Sequence, residues 1–234
     1  MADPMNGIKA CVFDAYGTLF DFNSAVARHR DAIGAQADRL AEMWRAKQIS
    51  YTWLRSLMGA YAPFWQVTGE ALDHCLEACG VTTPDIRDEL MNAYLRLDPF
   101  PEVPAMLQAL RDGGMHTAIL SNGDPGMLGE VVKNTGLRDH FDALYSVDAV
   151  KVFKPDRRVY ALATDGLGLA AREICFLSSN GWDAQGAAHF GFQVCWINRS
   201  GAPRERLPGL LARELRSLEP LPALVLATSA TTRS

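Results

Sequence analysis

Polar residues that could carry out chemistry recur in this sequence at the ends of short apolar runs. They are Asp14, Thr18, Ser121, Asn122, Lys154, Ser178, Asn180 and Asp183. Short apolar runs between turn residues are typical of buried parallel strands, whose carboxyl ends lie along one edge of a sheet. Two carboxylates and a lysine at that edge could supply a nucleophile, a proton acceptor and a charge partner. The pattern therefore predicts a catalytic site.

Asp14 is the strongest candidate for the nucleophile. It follows the apolar run Ala10-Cys11-Val12-Phe13 and precedes a turn at Gly17-Thr18. A charged side chain at a strand end is costly unless it is paired or used. An Asp here could also be a helix N-cap, but the other polar strand ends favour a nucleophile that desolvation and orientation activate.

The other candidates each have a structural alternative. Thr18 could stabilise the turn or position the Asp14 carboxylate, and Ser121-Asn122-Gly123 could form a simple turn or an anion-binding nest of amides. Lys154 could be a solvated lysine at a helix start. The helix dipole disfavours a cation there, so its presence indicates an anion nearby. Asp183 could be the N-cap of the following helix as well as a catalytic group.

The elements that must position these residues alternate between strands and helices. Strands are predicted at 10–13, 116–120, 143–147, 174–177 and 193–197. Helices are predicted at 102–111, 126–134, from Lys154-Pro155 to about 165, and 184–190. This alternation favours a parallel sheet with helices on both faces.

An all-helical stretch interrupts the alternation directly after the first strand. Helical periodicity indicates helices at 36–58, 63–79 and 84–97. We interpret this stretch as a cap over the carboxyl edge of the sheet. The predicted fold is α/β, a Rossmann-like parallel sheet core (residues 1–21 and 98–226) with an inserted helical cap domain (22–97). Residues 227–234 are expected to be a disordered tail.

The composition is that of an ordinary globular chain. It has 234 residues, a net charge of -4 and 48% hydrophobic residues, with both charge signs interspersed, which argues against nucleic acid or an anionic membrane as partner. No apolar run approaches the ~20 residues of a membrane span, and the N-terminus lacks the pattern of a signal peptide. Five scattered cysteines indicate reduced thiols and a cytoplasmic protein; Cys75 and Cys79 are expected to pack in the core.

The segment Asp14-Ala15-Tyr16-Gly17-Thr18-Leu19-Phe20-Asp21 resembles the first motif of the L-2-haloacid dehalogenases, within the haloacid dehalogenase superfamily. In the superfamily's phosphatases this motif is Asp-x-Asp, whose second Asp is a general acid and helps to bind magnesium. Here Tyr16 stands at that position. Arg45-Ala46-Lys47-Gln48-Ile49-Ser50-Tyr51-Thr52-Trp53-Leu54-Arg55 is similar to the dehalogenase segment that carries a halide-abstracting arginine, Arg45 in this sequence.

Three further segments carry the resemblance, which spans almost the whole chain to about residue 200. Ser121-Asn122-Gly123 matches the family's second motif, and Lys154-Pro155 with Tyr160 matches the third. Residues 178–183 match the fourth, in which Asn180 replaces part of the acidic pair that holds magnesium in phosphatases.

The resemblance implies a reaction in which Asp14 attacks C2 of an L-2-haloalkanoate, forming an ester and releasing halide. Lys154 would favour the ionised form of Asp14 and help Ser121 to bind the substrate carboxylate. Arg45 and Asn122 would stabilise the departing halide, where charge develops.

Hydrolysis of the ester would follow. Asp183, with Asn180 and Ser178, would orient or deprotonate the attacking water. Attack at C2 inverts its configuration, so the product would be a D-2-hydroxy acid. The resemblance also implies a homodimer, and neither a metal nor another cofactor is expected.

Aromatic residues are candidates for contacts with the halogen and alkyl group. Tyr16 and Trp182 are expected to form an apolar cradle, and Phe64 and Trp65 could join it or belong to the core of the cap. Tyr160 is also predicted to bind substrate, whereas Trp53 is expected to pack between helices.

Two other functions remain open at this point. The first is a magnesium-dependent phosphatase of the same fold, but Tyr16 and Asn180 leave few hard ligands for Mg²⁺. The second is a catalytically silent module that binds small anions. The presence of both Asp14 and Lys154 argues against that module, although a fold alone does not fix function.

Overall fold

A six-stranded parallel sheet forms the centre of the computed structural model, which describes residues 5–226. The strands of the chain are β1 (Ala10–Phe13), β2 (Phe20–Asp21), β3 (Asp98–Pro99), β4 (His116–Ser121), β5 (Ala143–Ser146), β6 (Ile174–Ser178), β7 (Gln193–Ile197) and β8 (Arg213–Leu215). The order in the sheet is β5-β4-β1-β6-β7-β8, and every neighbouring pair is parallel. The predicted α/β fold is thereby confirmed.

Ten α-helices of the described residues lie between these strands or after the last of them. Those before β3 are α1 (Asn23–Ala27), α2 (Arg30–Ile33), α3 (Ala37–Met58), α4 (Phe64–Cys79) and α5 (Ile86–Tyr94). Those after it are α6 (Val103–Asp112), α7 (Pro125–Asn134), α8 (Arg157–Leu167), α9 (Gly181–Phe190) and α10 (Leu221–Leu226). No helix within residues 5–226 is both long and apolar enough to cross a membrane.

Strand β1 occupies the middle of the sheet because its four side chains are all apolar and suit burial on both faces. Its neighbours are β4 on one side and β6 on the other, with Phe13 opposite Ile119 and Leu177. The next residue, Asp14, donates its backbone N–H to Leu177. This register places Asp14 at the carboxyl edge, between the ends of β4 and β6.

The five helices α1–α5, which we call the cap helices, are inserted between β2 and β3. These two strands pair antiparallel, with Phe20 opposite Pro99 and Asp21 opposite Asp98. The chain therefore enters and leaves the cap helices through one two-stranded ribbon. Helix α3 is followed by Gly59, whose φ of 64° is the left-handed conformation typical of a helix C-terminus. The division into a core domain and a cap domain at this ribbon stays a prediction.

Two predicted helix starts are wrong. Helix α8 begins at Arg157 with Asp156 as its N-cap, so Lys154 lies before the helix and the dipole argument does not apply to it. The Asp156 side chain accepts from the backbone N–H of Arg158 and so caps the helix, which explains the later start. Helix α9 begins at Gly181 with Asn180 at the N-cap position, so Asp183 lies within the first turn and is not the cap.

Other sequence-based expectations have mixed outcomes. Cys75 and Cys79 are buried on helix α4, as core packing requires. Strand β8 and helix α10 were not predicted, because the chain after β7 shows no clear periodicity. The predicted tail at 227–234 lies outside the described residues.

Candidate active site

The Asp14 carboxylate is almost fully buried, at 6% exposure, and both of its oxygens accept hydrogen bonds. Oδ1 accepts from Lys154 Nζ at 3.1 Å. Oδ2 accepts from the Thr18 hydroxyl at 3.1 Å and from Asn180 Nδ2 at 3.0 Å. Three donors from three segments thus fix the plane of the carboxylate, as a pre-organised nucleophile requires.

Lys154 joins two carboxylates at the centre of the site. Its ammonium group is 1% exposed and lies 2.9 Å from Asp183 Oδ2 as well as beside Asp14. Burial alone lowers the pKa of Lys154, but the two carboxylates outweigh it and raise that pKa above its usual value. The lysine therefore keeps its charge over the physiological range.

Asp183 is completely buried and bonded through both oxygens. Its Oδ1 accepts from the Tyr160 hydroxyl at 2.8 Å, and its Oδ2 faces Lys154. Burial raises the pKa of Asp183, although Lys154 and Tyr160 oppose that change. A carboxylate with a raised pKa and a fixed orientation is well suited to accept a proton from water.

Tyr160 lies behind Asp183. Its side chain is fully buried among the rings of Phe176, Phe190 and Phe192. Burial, and next the Asp183 carboxylate, raise the pKa of Tyr160 well above its usual value, so the phenol remains a donor. These contacts favour a positioning role over the predicted contact with substrate.

Arg45 reaches from helix α3 to the sheet edge. Its Nη2 donates to Asn180 Oδ1 at 3.1 Å and lies 3.4 Å from the backbone oxygen of Tyr16. Its guanidinium stacks over the Phe22 ring, 4.8 Å from the centroid, and its Nη1 donates to Gln48 at 2.9 Å. The cap helices thus deliver a cation to the residues that surround Asp14.

The remaining polar candidates organise the loops after the strands. Ser121 Oγ accepts from Gly123 N–H at 3.0 Å, which is turn chemistry and leaves the hydroxyl proton for another acceptor. Asn122 Oδ1 accepts from the backbone N–H of Lys154 at 3.0 Å, and Ser178 Oγ accepts from Asn180 N–H at 3.2 Å. The structure therefore brings all of the predicted polar side chains to one edge of the sheet.

Aromatic rings from both parts of the chain surround the polar groups. Tyr16 packs against Phe64 at 6.0 Å and against Tyr94 at 5.3 Å between centroids. Burial raises the pKa of Tyr16 well above its usual value, and its hydroxyl has no hydrogen-bond partner among residues 5–226. Trp65 contacts the neighbouring loop through its backbone, whose N–H donates to the Asp124 carboxylate at 3.1 Å.

Two cavities flank an edge-to-face contact between Trp53 and Trp182, whose centroids lie 5.3 Å apart. One has a volume of about 480 Å³ and reaches Arg45 and Asn180. The other, of about 460 Å³, reaches Lys154. This tryptophan pair joins α3 to α9 between these two cavities.

Sequence reasoning missed several residues of this arrangement. It did not single out Phe22, Gln48 or Tyr94. The expected packing of Trp53 between helices is confirmed by its contact with Trp182. A polar Gln48 on the buried side of an amphipathic helix, three residues after Arg45, is the one local signal that could have been used.

Within the part of the chain that the structure describes, no group of three or more His, Cys, Asp or Glu side chains is placed to hold a metal ion. Tyr16 stands where the phosphatases carry the second Asp of the first motif, and its buried phenol offers one neutral oxygen. Asn180 is occupied by bonds to Asp14 and Arg45. These donors do not fit Mg²⁺, which prefers carboxylates and water in octahedral geometry.

Comparison with known proteins decides the family. A model described as haloacid dehalogenase-like hydrolase matches residues 8–191. The chain belongs to this family. The resemblance seen in the four motifs is thereby confirmed.

Similar proteins within the family carry more specific names. (S)-2-haloacid dehalogenase 1 of Pseudomonas sp. (strain CBS-3) is 46% identical over 95% of this chain and 98% of its own length. (S)-2-haloacid dehalogenase of Pseudomonas sp. (strain YL) is 50% identical over 84% of this chain and 85% of its own. The structure of L-2-haloacid dehalogenase from Xanthobacter autotrophicus with chloropropionic acid covalently bound has a TM-score of 0.85 and 39% identity, covering 93% of this chain and 98% of that one.

Proposed function

We propose that this protein hydrolyses L-2-haloalkanoic acids to D-2-hydroxy acids through an ester of Asp14. The observation that carries the proposal is the buried Asp14 carboxylate, held by three donors, one of which is the ammonium group of Lys154. A second carboxylate, Asp183, lies on the other side of the same ammonium group. The names of the similar proteins support this substrate class.

The first step forms the ester and releases the halide. An oxygen of Asp14 attacks C2 from the side opposite the halogen, and the carbon–halogen electron pair leaves with the halide. Lys154 and Ser121 hold the substrate carboxylate. Arg45 and Asn122 stabilise the negative charge that develops on the halogen. Because the attack is from the rear, C2 is inverted in this step.

The second step hydrolyses the ester at its carbonyl carbon. Water attacks that carbon while Asp183 accepts a proton, and the bond between the carbonyl carbon and the ester oxygen then breaks. The departing alkoxide takes up this proton from Asp183 and becomes the hydroxyl group of the product, and the second proton of the water is released to solvent as Asp14 returns to the ionised form. Its oxygen comes from Asp14, whose carboxylate is rebuilt with the oxygen of water. Asn180 and Ser178 keep the loop around Asp183 in place.

The aromatic residues Tyr16, Phe64 and Trp182 form the apolar wall against the halogen and alkyl group. Exclusion of water by such a wall strengthens the attraction between Arg45 and the departing halide. The reaction is proposed to need no metal, because Tyr16 and Asn180 occupy the positions at which the phosphatases of this fold carry metal-binding or acid carboxylates.

We also propose a homodimer located in the cytoplasm. Exposed apolar side chains at the end of helix α3 support association, with Leu57 85% and Met58 75% exposed. The five buried free thiols support a reducing compartment. Sedimentation equilibrium of the purified protein tests the dimer, and a monomer at micromolar concentration would contradict it.

Halide release tests the function directly. Purified protein with excess chelator is given L-2-chloropropionate and D-2-chloropropionate separately. Release from the L isomer alone, at a rate that the chelator does not change, is the expected result. Release from neither isomer, with cleavage of a phosphate ester after addition of Mg²⁺, would support the phosphatase instead. Silence in both assays would support a binding module.

A further inference from the structure

A buried polar residue of helix α3 contacts Arg45 from within the cap helices. Gln48 follows Arg45 by three residues on α3, and its side chain is 1% exposed. A primary amide in such surroundings is costly unless its donors and acceptor are bonded. The hydrogen-bond partners of the Gln48 amide therefore indicate its role.

Those bonds leave one orientation for the amide. The Thr68 hydroxyl donates to the backbone oxygen of Phe64 at 2.7 Å, so it can only accept from Gln48, whose Nε2 lies 2.7 Å away. Gln48 Oε1 must then face the other way, where it accepts from Arg45 Nη1 at 2.9 Å. The Tyr94 hydroxyl lies alongside, 3.2 Å from Nε2 and 3.3 Å from Oε1.

Thr68 is itself fixed on helix α4. It is fully buried, and its backbone oxygen accepts from the indole N–H of Trp44 at 2.9 Å. The amide of Gln48 is thus set by the packing of α3 on α4 and not by solvent.

The guanidinium of Arg45 is consequently held from two sides. Gln48 holds Nη1 within the cap helices, whereas Asn180 accepts from Nη2 at 3.1 Å at the sheet edge. Asn180 in turn donates to Asp14 at 3.0 Å. A continuous series of hydrogen bonds therefore runs from Thr68 through Gln48, Arg45 and Asn180 to Asp14.

We propose that Gln48 is a positioning residue, which aligns the guanidinium of Arg45 with the halide that leaves C2. It touches no reacting atom and acts through Arg45 alone. The inference rests on the proposed function, in which Arg45 stabilises the leaving halide. It adds that the direction of this cation is set inside the cap helices.

The leaving group distinguishes this role from a structural one. Chloride departs less readily than bromide and so depends more on an aligned cation. Loss of alignment should slow turnover of L-2-chloropropionate more than that of L-2-bromopropionate. Loss of stability alone would lower both rates by the same factor.

The experiment compares Gln48→Met, Thr68→Val and the wild-type protein with both substrates. For Gln48→Met we expect kcat with the chloro substrate to fall by about 10- to 100-fold, in line with a small misplacement of a catalytic group, and the bromo-to-chloro ratio of kcat to rise, with KM little changed. Thr68→Val removes the acceptor that orients the amide, so the ratio should rise there too, by less. Thr52→Val is the control, because Thr52 is fully buried on α3 and its hydroxyl bonds to Ile49; its ratio should match wild type.

An unchanged ratio in a folded Gln48→Met protein would overturn the inference. If that variant fails to fold, an unchanged ratio in Thr68→Val overturns it equally. Failure of the proposed function is recognised separately: wild-type protein would then release no halide, or Arg45→Ala would turn over both substrates at the wild-type rate.

Discussion

Lys154 Nζ lies 3.1 Å from Asp14 Oδ1, although both side chains are almost completely buried. The same ammonium group lies 2.9 Å from Asp183 Oδ2. One buried cation thus separates the nucleophile from the residue proposed to accept the proton of water. Both steps of the proposed reaction depend on this arrangement, because the ammonium group offsets the cost of burying the two carboxylates and holds them in place.

Replacement of Lys154 by Met should therefore lower both activity and stability. We expect kcat to fall by at least about 10³-fold, comparable with the loss of a strong electrostatic stabiliser. The free energy of unfolding should decrease by about 3–5 kcal/mol, since one partner of a buried ion pair is removed. Urea denaturation and steady-state kinetics measure both effects.

Lys151→Met provides the matched control for that variant. The Lys151 ammonium is exposed and pairs with Asp148 at the surface, so its loss should cost at most about 1 kcal/mol. If Lys154→Met were as active and as stable as Lys151→Met, the central role of Lys154 would be wrong.

The hydroxyl of Tyr160 should influence the pH dependence of turnover. It donates to Asp183 and so favours the ionised carboxylate, which opposes the effect of burial on the pKa of Asp183. Tyr160→Phe removes this donor and should raise that pKa further. Since Asp183 must be ionised to accept a proton, the acid limb of the kcat profile should move to higher pH.

The pH profile of Tyr160→Phe is compared with that of Tyr145→Phe, a tyrosine of strand β5 outside the site. An acid limb that stays in place or moves to lower pH in Tyr160→Phe would contradict the positioning role of its hydroxyl.

Arg45 should contribute more to the departure of the halide than to the binding of the substrate. Arg45→Ala is expected to lower kcat by about 10²–10³-fold, the usual cost of removing one group that stabilises developing charge, with a smaller change in KM. Arg39→Ala, on the exposed side of the same helix, is the control. Equal rates in the two variants would place Arg45 outside the reaction.

The sequence was sufficient to place the polar edge of the sheet. Asp14, Ser121 and Ser178 each follow or end an apolar run, and parallel pairing of β1 with β4 and β6 brings such ends together. The helical insertion was equally visible, because a long stretch of helical periodicity interrupts the alternation of strands and helices. These features depend on local pattern, which a single chain displays directly.

Side-chain contacts between separate helices and strands could not be predicted from the sequence pattern. The bond of Tyr160 to Asp183 and that of Gln48 to Arg45 depend on side-chain direction and on how α3 packs against α4. The start of α8 after Lys154-Pro155 depends on the Asp156 cap rather than on the proline. Periodicity reports which face of a helix is buried, but not which atom it meets there.

The role of Asp14 as nucleophile is tested most directly by following the oxygen atom that it gives to the product. One turnover is run in water labelled with heavy oxygen, with the enzyme in excess over L-2-chloropropionate, and both the hydroxy acid and the peptide containing Asp14 are analysed by mass spectrometry. Asp14→Asn, shown to be folded by its melting temperature, is the control and should neither turn over nor take up label.

If Asp14 is the nucleophile, the hydroxyl group of the first product contains ordinary oxygen and the Asp14 carboxylate contains one heavy oxygen. Heavy oxygen in that hydroxyl group, with none in Asp14, would mean that water attacks C2 directly and that Asp14 is not the nucleophile.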